Sequence, residues 1–436
     1  MKYIYASLVI IPSLLSALSI EEAVRQTIET NPQVQAKKEG LKVESKLLTS
    51  VESGYLPSVD LRYAAGPETT RTIGNQRNSV SANRQEASIT LTQNLFSGFD
   101  TRASVNQQQA RIESSSSGVS DKSNSMALES ITAYVEVLRT KELFDIANDN
   151  VNVHKKYLDQ IKEKVDAGVG TASDYKQTLS RYENAQSTLF LTEQNYKNSI
   201  SSFNRILPLD AKAEDLVKPT IGELPSEDLD ELLAIAIQNN PFIKSSQAEV
   251  SYARATKEKS KATNYPTADI IASAYWNKNL NGITDSVEYP GDVVSDNKED
   301  GHNVLLVVNY NIFNGMADQS NQEANEYKVL QQNSLLEDAK RFVEANTKIA
   351  LQTFKSTQEQ LVHINKNIEA SSQTVAAYQE EHDLGRRSII DLLNIELEYN
   401  GAKNRKVTAL YDHALAYYQI LTHTGKILEA MNADSK

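Results

Sequence analysis

The stretch TIETNPQV at residues 27–34 returns as AIQNNPFI at residues 236–243. Asn31-Pro32 and Asn240-Pro241 are therefore 209 positions apart, close to half of the 436-residue chain. An internal duplication is the first hypothesis to test when a motif returns at such a distance. In both copies the motif follows a short amphipathic segment that predicts a helix.

Three further matches follow in the same order. The first keeps the spacing of 209 and the other two have a spacing of 217. They are YLP at 55–57 with NYP at 264–266, LFSGF at 95–99 with IFNGM at 312–316, and AGVGTASDYKQTLSRY at 167–182 with LGRRSIIDLLNIELEY at 384–399. The chain is therefore predicted to contain two structural repeats, 20–226 and 227–436, each with a helix, a strand pair, a long helix and a return helix.

The composition favours long helices over large compact cores. Hydrophobic residues make up 40% of the chain, the mean hydropathy is −0.47, and only 16 Gly and 10 Pro interrupt the sequence. The formal charge of −12 argues against nucleic acid as a partner, because phosphate binding needs a basic surface. Without cysteine, the chain has neither disulfides nor a cysteine for a lipid anchor.

The first nineteen residues, MKYIYASLVIIPSLLSALS, are typical of a secretory signal. A single Lys precedes an apolar run, and small residues at Ala17 and Ser19 suit a signal peptidase, so cleavage is expected after Ser19. The alternatives are a buried helix or a membrane anchor, but Pro12 interrupts the run. No later segment has 18 consecutive apolar residues.

Alternating apolar and polar residues predict four strands, at about 57–66, 86–96, 266–277 and 302–313. Val59, Leu61 and Tyr63, for example, share one face of the first strand. Segments of about ten residues with this alternation are typical of outer-membrane barrels. A two-layer sheet packed on helices is the alternative.

Four strands are too few for a barrel, since the smallest single-chain outer-membrane barrels have about eight. Open sheet edges are not tolerated in lipid, so several chains would have to contribute to one barrel. Aromatic rings at Tyr63, Tyr275, Trp276 and Tyr310 are expected at the lipid interfaces.

Two long helices are predicted, at about 98–166 and 315–383, each roughly 100 Å long at 1.5 Å per residue. Half-length helices are expected at about 20–54, 171–207, 229–263 and 388–427, and two of these stacked end to end would match one long helix. Apolar residues at coiled-coil spacing predict the packing seams of the first hairpin. These residues are Phe144, Ala147, Val151, His154, Leu158, Ile161 and Val165, then Tyr175, Leu179, Tyr182, Leu189, Tyr196, Ile200 and Phe203.

The duplicated NP helix, YLP before a strand, LF-x-G after the next strand and the G-x-x-x-x-x-D turn together resemble the TolC family of outer-membrane efflux and secretion channels. The resemblance covers nearly all of the chain after the signal. It implies a homotrimer that forms one twelve-stranded barrel in outer-membrane lipid, continued by a helical tunnel across the periplasm. It also implies a periplasmic adaptor and an inner-membrane pump of ABC or RND type as partners.

In this family a polar network at the helix tips closes the periplasmic end. By turn position, the resemblance implies that Asp174 and Asp391 are the acidic tip residues and that Arg387 is their basic partner. His382 stands where some members have Tyr, and Asn394 where some have a second Asp. The acidic ring would then hold one carboxylate per subunit, and the preference for cations would be milder.

Alternatives remain for these residues. Asp174 and Asp391 could be ordinary acidic residues at helix N-termini, and His382 a solvated histidine. Left-handed glycine caps are predicted for the two helix–helix turns. The turn residues are also the expected adaptor-docking tips: Gly168, Val169, Gly170, Gly385 and Arg386.

No enzymatic motif stands out. The six His form no HExxH pair and no phosphate-binding loop occurs, so no catalytic residue, metal or cofactor is expected. The acidic segment from Asp285 to Asp300, which includes Asp292, Asp296 and Glu299, is expected to be a solvated extracellular loop, with contact to divalent cations or lipopolysaccharide as the alternative.

The sequence thus favours a mainly helical fold with four strands per chain. The favoured function is a passive exit duct for type I protein secretion, small-molecule efflux or both, with a preference for secretion from the LFSGF form and the missing lipidation cysteine. The rival hypothesis is a periplasmic coiled-coil adaptor without a membrane channel.

Overall fold

The computed structural model describes residues 18–73, 77–209, 213–279 and 298–433, with side chains described outside 70–82. The chain divides into two compact units, each made of segments from both repeats. The helical unit comprises the described residues within 1–39, 116–245 and 337–436, and the sheet unit those within 40–115 and 246–336.

Helices dominate the chain, as expected. The long helices α3 and α7 have 67 residues each, and the return helices α4 and α8 have 35 each. Among the residues that the structure describes, none of the helices is both long and apolar enough to cross a membrane. The helices are α1 (Ile20–Thr30), α2 (Pro32–Glu52), α3 (Asp100–Asp166), α4 (Ala172–Ile206), α5 (Leu229–Asn239), α6 (Pro241–Ser260), α7 (Ala317–Asp383), α8 (Ile389–His423) and α9 (Ile427–Ala430).

The duplicated NP motif joins two helix ends in each repeat. The Asn31 side chain accepts a hydrogen bond from the backbone N–H of Gln33 at 2.9 Å and donates one to the carbonyl of Ile206 at 3.2 Å. Asn240 does the same with Phe242, at 2.9 Å, and with His423, at 2.8 Å. One amide thus caps the start of α2 or α6 and satisfies a carbonyl at the end of α4 or α8.

The helices predicted at 20–54 and 229–263 are not continuous. Each is two α-helices followed by a short 3₁₀ turn, Ser53–Tyr55 or Lys261–Asn264. The break occurs before the proline because proline disfavours the helical conformation of its preceding residue. Asn31 accordingly has an extended backbone, with φ −65° and ψ 125°.

The core of the helical unit forms where α1 packs against the middle of α3 and the end of α4. Ile28, Ile131 and Phe203 are each at most 2% exposed in this cluster. The Tyr134 hydroxyl lies 2.7 Å from the carbonyl oxygens of both Leu18 and Val217. A buried hydroxyl with such partners fixes the segments around Leu18 and Val217 against α3.

Leu18 and Ser19 belong to this folded unit. Leu18 forms a parallel bridge with Leu216, and the Ser19 hydroxyl caps α1 by accepting from the backbone N–H of Glu22 at 3.3 Å. The expected cleavage after Ser19 would remove both contacts, and the cleavage position stays a prediction. The rest of the predicted signal, residues 1–17, lies outside the described residues.

The strands form one antiparallel sheet in the order β1-β2-β3-β4. Among the described residues, β1 and β4 each have a strand neighbour on one side only. The strands are β1 (Ser58–Ile73), β2 (Arg77–Phe96), β3 (Thr267–Lys278) and β4 (Lys298–Asn309).

Four predicted strand limits were wrong. The simplest is the end of β4, which lies at Asn309 instead of 313. β1 and β2 continue in register to Ile73 and Arg77, beyond the predicted 66 and 86, because backbone pairing persists where the apolar alternation ends. β4 begins at Lys298 and includes Glu299 and Asp300, which were assigned to the acidic loop, because pairing with β3 overrides the low strand propensity of acidic residues. The rest of that loop, including Asp292 and Asp296, lies outside the described residues.

One face of the sheet, called the apolar face, carries the predicted alternating apolar residues. In register, Leu61 faces Ile89 and Ile89 faces Ala274 on this side, and Leu61 is 79% exposed. Large apolar residues exposed over a whole face mark a surface covered in the working state. The exposed members include Val59, Leu61, Tyr63, Ile89, Leu91, Trp276, Val304, Leu306 and Val308.

Tyr275 does not lie on this face, contrary to its expected place at a lipid interface. It pairs with Ser88 and Gly301, on the polar side, because its position is one residue from Trp276 and neighbours alternate between faces. A Cβ at position 301 would come within 2.6 Å of the Tyr275 hydroxyl. Because Gly301 has no side chain, the Tyr275 ring fits beside it.

The LFSGF and IFNGM motifs form the turns between the last strand of each pair and a long helix. Both turns have two successive left-handed residues: Gly98 and Phe99 at φ 65° and 69°, then Gly315 and Met316 at φ 70° and 68°. The Phe99 ring packs edge-on against Tyr265 at 5.2 Å. The repeated sequence therefore has a repeated backbone conformation.

These two glycines provide a matched pair for mutation. Ala at either position should cost about 1–2 kcal/mol from the left-handed backbone, but Gly98→Ala also places its Cβ 2.6 Å from the Ala262 carbonyl oxygen, whereas a Cβ on Gly315 meets nothing within 4 Å. Guanidinium unfolding of the purified variants in detergent, followed by circular dichroism, should show the larger loss for Gly98→Ala. Equal losses would contradict this explanation.

Candidate functional site: the helix-hairpin tips

The first hairpin tip connects α3 to α4 in the helical unit. Gly168 has φ 75°, and the backbone N–H groups of Val169 and Gly170 both donate to the Lys164 carbonyl, at 3.0 and 2.9 Å. This confirms the predicted left-handed cap, which satisfies the last carbonyls of α3. Val169 at the turn is 79% exposed.

The second tip, between α7 and α8, repeats this geometry. Gly385 has φ 74°, and the Arg386 N–H donates to the Glu381 carbonyl at 2.8 Å. The predicted tip residues of both hairpins therefore lie in helix-capping turns. Their docking role stays a prediction.

Arg387 makes its contacts within its own hairpin. Its Nε donates to Glu381 Oε2 at 2.8 Å, and its guanidinium carbon lies 4.0 Å from the centre of the Tyr378 ring. His382 Nδ1 lies 3.0 Å from the Arg387 carbonyl oxygen. The structure thus brings Arg387 and His382 together and adds Glu381 and Tyr378, which the sequence analysis had not selected.

Asp391 and Asp174 occupy equivalent positions three residues after a helix cap. The Asp391 N–H donates to Ser388 Oγ at 3.1 Å, and that hydroxyl donates to Asp391 Oδ2 at 2.7 Å. The Asp174 N–H donates to Thr171 Oγ1 at 3.1 Å. Both carboxylates therefore lie where the helix dipole favours a negative charge, and a role at a gate is compatible with that position.

Asn394 connects the two hairpins. Its Oδ1 accepts a hydrogen bond from Arg181 Nη2 at 2.8 Å, which links α8 to α4 within one chain. Arg181 is not among the predicted site residues, because no local sequence pattern pairs residues so far apart in the chain. The Asn394 side chain therefore bonds to Arg181 of the first hairpin and not to the predicted gate residues Arg387 and Asp391.

The tips are backed by a small apolar cluster. Tyr157 and Ile161 of α3 pack with Leu392 and Leu393 of α8, all at most 5% exposed. The Tyr157 hydroxyl donates to Gln379 of α7 at 2.9 Å, and burial raises the pKa of this phenol to about 12. Side chains of both hairpins therefore pack together just behind the turns.

The predicted seam between α3 and α4 is confirmed in part. Ala147, Val151, His154 and Ile161 of α3 are buried as predicted, whereas on α4 only Phe203 of the predicted residues is buried. Large residues such as Leu179 and Leu189 are only half-buried. Most of the residues buried at spacings of seven or fourteen along these helices are small, and the hydroxyls of two of them, Thr140 and Ser199, bond at 2.8 Å. Small side chains let two helices approach closely, which leaves the large ones at the flanks. The buried series are Ala133, Thr140, Ala147, His154 and Ile161 on α3, and Thr178, Ala185, Ser199 and Ile206 on α4.

His154 is the one ionisable residue in these two series. It is 4% exposed, and its Nδ1 has no hydrogen-bond partner among the described residues. Burial lowers the pKa of His154, and the charge of Arg181 lowers it further. The imidazole is therefore held neutral, beside the arginine that binds Asn394.

The neutral state of His154 predicts a pH effect on this hairpin. The folded state binds fewer protons at His154 than the unfolded state, so stability should fall as the pH falls below about 6.5, by at most about 1.4 kcal/mol per pH unit. Hydrogen exchange of peptides spanning 147–189 should lose protection between pH 7.5 and 5.5 after correction for intrinsic rates. His154→Leu should keep its protection over this pH range. The control His363→Leu, at an exposed position of α7, should lose protection as the wild type does. If both variants lose protection, the assignment to His154 is contradicted.

Comparison with known proteins adds to this geometry. The sequence profile of the family described as outer membrane efflux protein matches residues 23–207 and 232–426, one stretch in each repeat. Outer membrane protein TolC of Escherichia coli (strain K12) is 20% identical over 439 residues, covering 96% of this chain and 84% of that protein. Proteases secretion protein PrtF of Dickeya chrysanthemi is 21% identical over 394 residues, covering 86% of this chain and 81% of that protein.

A solved structure shows the same fold. The Campylobacter jejuni CmeC outer membrane channel matches with a TM-score of 0.78 at 12% identity, over 94% of this chain and 86% of that chain. The family and fold class expected from the sequence are confirmed, and the match to the family profile favours the channel over the adaptor hypothesis. The chain belongs to the outer membrane efflux protein family and is located in the outer membrane, from which it extends into the periplasm.

Proposed function

We propose that three copies of this chain form a passive exit duct, with one twelve-stranded barrel in the membrane and a helical tunnel below it. This proposal rests mainly on the four-stranded sheet. It has an exposed apolar face, and its outer strands β1 and β4 each have a neighbour on one side only among the described residues. A sheet in lipid must have its edges paired, and further copies of β1 and β4 provide that pairing.

Exposed apolar residues on helices of each unit support the same assembly. In the helical unit, Phe342 and Ile349 lie seven residues apart on α7 and are more than half exposed, as is Phe190 on α4. In the sheet unit, Val43 of α2 and Leu335 of α7 are also more than half exposed. Apolar residues at heptad spacing pack against another helix in coiled coils, and a neighbouring copy supplies that helix.

The helical unit contains a cavity of about 1260 Å³ that suits the wall of a water-filled duct. Charged side chains of α3 and α4 line it, and Arg205 pairs with Glu129 at 2.5 Å. The opposite side of α3 carries the buried core residues Ile131 and Tyr134. The lining mixes acidic and basic side chains with apolar ones such as Leu128 and Leu143, so solvated cargo meets polar groups beside an apolar surface.

The tips then act as the periplasmic gate. Arg387 secures the second hairpin through Glu381, and Arg181 links the two hairpins through Asn394. Asp391 supplies one carboxylate per chain, and three such charges near the axis favour cations. Opening requires these tip contacts to loosen.

Adaptor and pump complete the proposed export system. The exposed turns at Gly168–Gly170 and at Gly385 and Arg386 are the proposed adaptor contacts, and an inner-membrane pump of ABC or RND type supplies the energy. The cargo is protein exported by type I secretion, small molecules, or both. The relative named for protease secretion supports the protein option.

The gate assignment predicts conductance changes in planar bilayers. Arg387→Ala should raise single-channel conductance about twofold or more, because an open constriction passes more ions, and Glu381→Gln should act in the same direction by releasing Arg387. Asp391→Ala should raise conductance and also weaken cation selectivity.

Arg386→Ala is the matched control, since it removes a neighbouring charge at the same turn and should leave the conductance unchanged without an adaptor. Wild-type conductance in Arg387→Ala and Asp391→Ala would refute the gate. A complete lack of channels in the wild type would refute the duct itself.

A further inference from the structure

Helix α6 packs against both long helices of the sheet unit. On one flank, its Thr256 hydroxyl accepts a hydrogen bond from Gln107 Nε2 of α3 at 2.8 Å. On the other flank, its Lys257 Nζ donates to Glu326 Oε1 of α7 at 3.0 Å. The residues of α6 that contact α3 recur three and four positions apart, as on one side of a helix. They are Glu249, Tyr252 and Thr256, and all three are half-buried.

Helix α2 is the counterpart of α6 in the first repeat, at the spacing of 209, but its corresponding flank is exposed. α2 contacts α3 through Glu44, which accepts a hydrogen bond from Gln108 at 2.8 Å. Its other flank, here called the open flank of α2, carries Gly40, Val43 and Leu47, the counterparts of Glu249, Tyr252 and Thr256. Val43 is 57% and Leu47 45% exposed, and Gly40 is also exposed.

Helix α7 has an exposed flank of the same kind. On the side of α3 that faces α6, the residues are buried or half-buried, whereas their counterparts on α7, at the spacing of 217, are all exposed. The opposite sides do not differ in this way, since residues 105, 108, 112 and 115 of α3 and 322, 325, 329 and 332 of α7 are all half-buried. The α3 residues are Ser104, Gln107, Arg111 and Ser114, and their counterparts, here called the open flank of α7, are Asn321, Ala324, Lys328 and Gln331.

We propose that the open flank of α2 packs against the open flank of α7 in the next copy of the chain, in the register that α6 and α3 use within one chain. Each open flank is the counterpart of a flank that is covered in the other repeat, so one contact between copies covers both. This inference rests on the proposed assembly of three copies and adds which helices and which residues meet.

At the middle of this contact an apolar pair replaces a hydrogen bond. Within the chain, Thr256 of α6 meets Gln107 of α3. At the same positions between copies, Leu47 meets Ala324, and both are exposed in the single chain. Their burial removes apolar surface from water, which favours association.

One turn further along, Val43 meets Lys328 of the next copy. Within the chain, the Arg111 guanidinium carbon lies 5.1 Å from the centre of the Tyr252 ring at the same positions. The apolar stem of a lysine can cover an aliphatic side chain while its ammonium group stays in water. The carboxylate that pairs with Arg111 within the chain has no counterpart on α2, since Gly40 stands there. The contact between copies is therefore mainly apolar.

Chemical cross-linking of the purified full-length protein in detergent tests this contact. Leu47→Cys combined with Ala324→Cys, treated with a short bismethanethiosulfonate reagent, should give a covalent trimer on a denaturing gel. Thr256→Cys combined with Gln107→Cys is the matched control, because the same geometry lies within one chain and its cross-link should leave a monomer on the gel.

Two further measurements separate failure of this contact from failure of the duct. Leu47→Cys combined with Asn325→Cys, on the half-buried side of α7, should stay monomeric on the gel, and native mass spectrometry should show a trimer for every variant. A native trimer without the cross-link between positions 47 and 324, or equal cross-linking at position 325, would overturn this contact alone. Absence of a native trimer would overturn the proposed duct as well.

A charge exchange tests the register. Val43→Lys places a second positive charge beside Lys328 of the next copy and should lower the fraction of native trimer severalfold, whereas Val43→Glu should lower it less. Lys328→Glu should restore the trimer in the Val43→Lys variant. Equal loss in Val43→Lys and Val43→Glu, or no restoration by Lys328→Glu, would overturn the register.

Discussion

The structure depends on the backbone hydrogen bonds at the two edges of a four-stranded sheet. Water satisfies unpaired N–H and C=O groups in solution, but in lipid each unpaired group costs several kcal/mol. β1 and β4 are 16 and 12 residues long, so the total cost of two open edges exceeds the stability of a typical domain. The proposal of further copies therefore follows from the sheet rather than from the helices, because a single inserted sheet would leave both edges unpaired in lipid.

The duplication explains how one chain supplies both the sheet and the hairpin tips of the proposed gate. The two repeats keep the same joints, namely the capping asparagines Asn31 and Asn240 and the left-handed turns after β2 and β4. They differ at the tips, since Gly170 of the first repeat stands where the second has Arg387 at the spacing of 217. A Cβ on Gly170 would come within 2.9 Å of the Val165 nitrogen, so the first turn has no room for a side chain there.

This difference gives the two hairpins separate roles. The first hairpin is a close-packed pair of helices with a capped turn, and the second carries the contacts of Arg387 with Glu381 and Tyr378. Arg181 and Asn394 then link the two. In the proposed gate, the contacts that loosen on opening thus belong mainly to the second repeat.

Much of the fold could be predicted from the sequence, because repeats, alternation and glycine caps are local signals. The apolar face of β1 and the caps at Gly168 and Gly385 followed from residue spacing alone. The α3–α4 seam could not be predicted in the same way, since a search for large apolar residues passes over Thr140 and Ser199, whose small size is what allows close packing.

The candidate site was only partly accessible from the sequence. Arg181 and Asn394 meet only through tertiary packing, so their contact needed the structure. The pairing of Glu381 with Arg387 across a glycine turn had a local signal, an acidic and a basic residue on either side of Gly385, that the sequence analysis did not use. The extension of β1 beyond residue 66 was not predicted from alternation, because polar residues pair along the backbone as well as apolar ones do.

The most direct measurement is disulfide cross-linking between sheet edges. Because the chain has no cysteine of its own, only the introduced cysteines can form disulfides. Val59→Cys on β1 would be combined in turn with a cysteine at Val304, Leu306 or Val308 on β4, all of them exposed. Closure by neighbouring copies predicts that at least one combination oxidises to a covalent trimer, whereas Val59→Cys alone stays uncross-linked because a ring joins different edges. A monomer in every combination, or a dimer from Val59→Cys alone, would contradict the account.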